Sequence, residues 1–118
     1  MKPYAVVSHR GKNIVVVDLS HTAPAETIAS LKEAQKHIAE NPPKSVLILT
    51  DVTDTIYNKE VSAAIQDFSS KNTPYVKRSA VVGVDGLKQI LLRTVTLITR
   101  REIMSFPSRQ EALDWLVN

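Results

Sequence analysis

The chain of 118 residues contains no cysteine. Disulfides, thiolate nucleophiles, cysteine-ligated zinc and iron–sulfur clusters are thereby excluded. Aromatic residues are scarce, at 5%, and the basic excess is small, 15 Lys and Arg against 12 Asp and Glu. The basic residues are scattered, with only Lys77-Arg78 and Arg100-Arg101 adjacent. A nucleic-acid interface draws on clustered positive charge and stacking aromatics, so no nucleic-acid partner is expected. No apolar run approaches the roughly 20 residues of a spanning helix. The opening Met1-Lys2-Pro3-Tyr4 leads into strand-like sequence without the apolar core of a signal peptide. A cytoplasmic protein that does not span a membrane is expected.

What is present is an ordinary globular mixture, 43% apolar and 23% charged. A chain of this length buries roughly 65% of its unfolded surface, enough for one core. One domain over residues 1–118 is expected. Residues 4–8 read as a strand, followed by a tight turn at residues 10–13 in which Gly11 and Asn13 tolerate positive φ. The β-branched run Ile14-Val15-Val16-Val17 reads as a buried strand. The period then changes. Ser20 or Thr22 can cap a helix over residues 24–40, with Pro24 in its first turn and Ile28, Leu31, Ala34 and Ile38 on one face. Asn41-Pro42-Pro43 ends it.

Val46-Leu47-Ile48-Leu49 is apolar on both faces, as a central strand covered on both sides must be. Val61, Ala64, Ile65 and Phe68 then mark a second helix ending near Lys71. Residues 79–84 read as a strand, residues 87–99 as a third helix with Asp85 as its cap, and residues 103–106 as a last strand. Ser108-Arg109-Gln110-Glu111 is a capping box that starts a final helix with Ala112, Trp115 and Leu116 facing inward. The order ββαβαβαβα predicts an α/β fold with a mixed, mostly parallel sheet and an antiparallel first pair.

Catalytic sets are hard to find. His9, His21 and His37 lack carboxylates at metal-ligand spacing, so no metal is expected; His37 reads as solvated, and His9 and His21 meet only if the hairpin register allows it. No nucleophile elbow or phosphate loop is present, and Gly83-Val84-Asp85-Gly86 lacks the spacing of a dinucleotide fingerprint. No cofactor is expected. The richest polar segment is residues 51–58, at the carboxyl end of the central strand, where ligand and regulatory contacts concentrate in α/β sheets. It carries Asp51, Thr53, Asp54, Thr55 and Tyr57. Its two carboxylates could act as acid and base in a small hydrolase or isomerase, or serve as turn formers and caps.

The third helix is apolar nearly all round. Leu87, Ile90, Leu91, Val95 and Ile98 form a stripe read as core-facing, while Leu92 and Leu97 lie away from it. The excess calls for a second surface to cover: a partner subunit, an apolar ligand or a membrane surface. Arg93, Arg100 and Arg101 are placed beside that surface, where they could meet an anionic group.

Residues 14–18, the helix over residues 24–40, Lys44 through Asp54, Ser79 through Leu87, and the ending Phe106 through Leu116 together resemble the SpoIIAA-like branch of the STAS superfamily, related in fold to lipid-binding SEC14 domains. The resemblance implies a βα superhelix without enzymatic activity. It also implies a regulatory role through a protein partner, as in the anti-sigma-factor antagonists, whose phosphate-accepting serine follows an aspartate. Asp54-Thr55 stands in that place here, followed by Ile56-Tyr57 instead of small residues. The leading expectation is a non-enzymatic regulatory or binding domain, a homodimer with a further protein partner, using the third helix and the 51–58 loop. The alternative is a carrier of an apolar, lipid-like molecule.

Overall fold

The structure is a computed structural model that describes residues 3–118. Strands β1 (Tyr4–His9) and β2 (Lys12–Asp18) form an antiparallel hairpin. Its two-residue turn takes positive φ at Arg10 (50°) and Gly11 (81°), not at Asn13. That mirror-image turn matches the twist of the flanking strands. There follow α1 (Pro24–Ile38), β3 (Val46–Asp51), α2 (Lys59–Asn72), β4 (Val76–Val82), α3 (Gly86–Thr99), β5 (Ile103–Phe106) and α4 (Arg109–Leu116).

The five strands stand in sequence order, β1-β2-β3-β4-β5, with β2 through β5 parallel. Each parallel step moves the same way across the sheet, so crossovers of one hand stack α1, α2 and α3 on one face. The core has two layers accordingly. Val15, Val17, Ile48 and Val81 face Leu31, Ala34 and Ile38 of α1 and Phe68 of α2. Their strand neighbours Ile14, Val16, Leu47, Leu49, Ala80 and Val82 face Ala112 and Leu116 of α4. This alternation is the period of two expected of strands covered on both faces.

Several ends differ from expectation. α1 has Pro24 in its first turn, but its N-cap position is Ala23 and no side chain caps it. Thr22 instead donates to Leu19 O at 2.7 Å and shares a hydrogen bond with Thr27, tying the entry loop together. Asn58 caps α2 by accepting from Val61 N at 2.8 Å. Ser108 caps α4 by accepting from Glu111 N at 3.3 Å. Asp85 occupies the N-cap position of α3 without capping it. β4 starts at Val76, earlier than expected, because Lys77-Arg78 interrupts its apolar text. Arg78 lies 4.5 Å from the centre of the Trp115 ring and donates to Trp115 O at 2.6 Å. A cation is therefore accommodated at the end of the α4 layer by a ring face and a terminal helix carbonyl.

Candidate functional site

The carboxyl ends of β2 and β3 carry a polar knot. Asp51 ends β3 and is buried. Its Oδ2 accepts from Arg109 Nε at 2.7 Å and its Oδ1 accepts from Thr53 N at 2.9 Å. Arg109 also reaches Asp18 Oδ1 at 3.2 Å. Burial by itself would raise the Asp51 carboxyl, but the hydrogen bonds from Thr53 and the hydrogen bond and charge of Arg109 outweigh it and lower its pKa. Asp18 is lowered in the same way, burial opposing the hydrogen bonds from Ser20 and the Arg109 contact. Asp54 is exposed, sits at φ 53° and faces His21 at 3.4 Å. The two carboxylates weighed as an acid–base pair thus engage different partners.

The rest of the 51–58 loop is stitched to the entry of α1. His21 N donates to Thr53 O at 2.9 Å and Ile56 N to Thr22 O at 3.2 Å. Thr55 is 7% exposed, and its hydroxyl donates to Leu19 O at 2.7 Å. A phosphate-accepting position needs an accessible hydroxyl; Thr55 is enclosed and already bonded. Tyr57 is half-buried and faces a cavity.

That cavity, of about 90 Å³, lies between α2, α3 and the sheet. α2 contributes Val61, Ile65 and Phe68, and α3 contributes Leu91, Leu92 and Val95. At one end Lys88 donates to Val52 O at 2.7 Å. Among the other lining residues are Ser69, Asn72, Ser79 and Arg101. Arg101 donates through Nη1 to Ser79 Oγ at 2.8 Å and through Nη2 to Ser69 O at 2.9 Å. Burial pushes its pKa down. Asn72 is 1% exposed, and neither of its side-chain polar atoms has a partner among the described residues.

The α3 stripe is turned relative to expectation. Leu91 and Val95 are buried and Leu92 half-buried, so 91, 92 and 95 form the inner face. Ile90 (63% exposed), Leu97 (74%) and Ile98 (57%) point outward with Arg93. The expected stripe puts Ile90 and Ile98 inward and Leu92 away; with apolar residues on both sides, periodicity admits either rotation. The Leu87 side chain lies outside the described residues. Arg101, expected on the outer surface with Arg100, turns inward.

The histidines also differ from expectation. His9 and His21 sit at opposite ends of β2, because His9 pairs with Lys12 at the turn. His9 Nε2 instead lies 2.8 Å from Asp114 Oδ1 on α4. His37 stacks on Tyr4 with ring centres 4.7 Å apart, so it is not simply solvated. Reading from the chain overlooked Asn72, Ser69, Arg109 and Asp114. Asn72 alone had a signal: it continues the 61, 65, 68 stripe and so lies on the apolar face of α2.

No family model and no curated protein matches this chain. Among solved structures it is similar to an uncharacterized protein of the DUF3478 family from Shewanella loihica PV-4, described as having a SpoIIAA-like fold. The two share 16% identity at a TM-score of 0.74, over 96% of this chain and 91% of that one. The likeness shows the fold: this chain is SpoIIAA-like in architecture, as the sequence resemblance implied. Among the described residues, no helix is long and apolar enough to cross a membrane.

Proposed function

We propose that this protein is a non-enzymatic cytoplasmic binding domain that holds an apolar small molecule between α2 and α3. The observation that carries this reading is the cavity lined by Phe68, Leu91, Leu92 and Val95. A close-packed core leaves few voids larger than a water molecule. A void walled by leucine, valine and phenylalanine favours apolar matter over water. Native mass spectrometry of gently purified protein is expected to show added mass. A clean apo mass under gentle conditions removes the reading.

A second reading is favoured by the outer face of α3. Ile90, Leu97 and Ile98 are each more than half exposed, and Arg93 and Arg100 flank them. Single exposed apolar side chains are ordinary, but a row on one helix is the mark of a contact surface. On this reading the domain is regulatory and acts through protein contacts, the first of them a second copy of itself. Light scattering after size exclusion is expected to give a dimer mass that Leu97→Glu reduces to a monomer. A monomer before the substitution counts against it.

A further inference from the structure

Arg101 and Asn72 are polar in a place that their own surroundings do not explain. Arg101 carries a full positive charge into a mostly apolar cavity wall. Its two hydrogen bonds go to neutral oxygens, Ser79 Oγ and Ser69 O, and its Nε is buried with no partner among the described residues. Among the described residues, no carboxylate lies within ion-pair distance of it. Asn72 leaves a buried amide donor and acceptor unpartnered on the same cavity. A half-buried charge without a counter-charge carries a cost, and so does a buried amide without partners. Both costs fall if an anion with a small acceptor head enters. Ser79 adds to this: its oxygen accepts from Arg101, leaving its own hydroxyl proton to donate.

Resting on the reading of the cavity as a binding site, we propose that its ligand is an apolar monocarboxylic acid, with the carboxylate at Arg101 and Asn72 and the tail along Phe68, Leu91 and Leu92. The head is singly charged, matching one guanidinium, and two-oxygen recognition suits the Arg donor geometry. A cavity of about 90 Å³ fits a short tail and excludes a phospholipid. The other cation on the cavity, Lys88, is a weaker anchor. It already donates to Val52 O at 2.7 Å and lies 4.0 Å from Asp85 Oδ1.

The test is titration calorimetry at neutral pH with butanoate, butan-1-ol and butylamine, which share a tail short enough for the cavity and differ in head charge. Butanoate is expected to bind about tenfold or more tighter than butanol, with butylamine weakest. Arg101→Met is expected to abolish the preference for butanoate while retaining butanol binding, and Asn72→Leu to reduce it. Equal binding of butanoate and butanol by the unaltered protein overturns the proposal but leaves an apolar site. A preference that survives in folded Arg101→Met overturns it too. Failure of all three probes removes the cavity reading itself. Should Arg101→Met not fold, the three-ligand series on the unaltered protein decides alone.

Discussion

A β-carbon added at Gly83 would stand 2.5 Å from Thr53 N and 2.7 Å from Thr53 Cα, and the backbone there has φ 87°. Backbone atoms cannot yield as a side-chain tip can, and an L residue is strained at that φ. Gly83→Ala is therefore expected to lower stability by about 2 kcal/mol or more in urea denaturation. The Asp51–Arg109–Asp18 knot sets a pH dependence. Both aspartates titrate lower in the folded protein than in the unfolded chain, where the value is about 3.9. Their stabilisation is complete above that value and is lost as pH falls through the lower folded-state values. Arg109→Met is expected to cost about 1–3 kcal/mol at pH 7, from the lost charged hydrogen bonds. Unfolding midpoints followed from pH 7 to 2 are expected to converge for the two proteins. Gly83 was legible from the chain as a turn residue. The Asp51–Arg109 pair, 58 positions apart, was not, because it depends on where α4 docks.

At the scale of elements, the alternation of strands and helices was legible because α1 and α2 carry a helical period, while β2 and β3 are short apolar runs rich in β-branched residues and bounded by turn text. The face of α3 was not. Position 90 is as apolar as position 91, and only the neighbouring α2 and sheet decide which turns inward. The 51–58 loop read as an accessible polar segment, whereas its hydrogen bonds to residues 19, 21 and 22 draw Thr55 under the entry of α1. A negative charge at Thr55 would be buried among Leu19, Val52 and Val61 on the cavity side. Thr55→Glu is expected to destabilise by about 2–4 kcal/mol in thermal or urea melts, whereas Thr55→Ser costs less than about 1.5 kcal/mol. Equal stability of Glu and Ser variants would show the hydroxyl to be accessible after all.

Across the whole molecule, one-way strand order puts three helices on one face and leaves the other to the eight-residue α4. Short helices have little intrinsic stability, so tertiary contacts must hold this one. They do so along its length: Arg109 at its start to Asp18 and Asp51, Asp114 to His9, and the carbonyl of Trp115 to Arg78. The same strand order lacks the reversal at which open α/β sheets usually bind ligands. The cavity accordingly opens beside the sheet, among helices. The surplus leucines of the third helix pointed to an apolar site beside it, whereas the polar 51–58 loop was read at a strand end because that rule is general, and the order of strands is not written in any one of them.

The sheet also has a border. Of its two edge strands, β1 is the longer, six residues without lysine or proline against four in β5, and Val6 upon it is 50% exposed. Such a border is a template on which a foreign strand can be laid. When the protein is heated or concentrated, clumping should begin there. Val6→Lys is expected to raise the concentration at which turbidity appears, with a melting midpoint altered by less than about 0.5 kcal/mol in equivalent stability. Unchanged turbidity would place the sticky seam elsewhere.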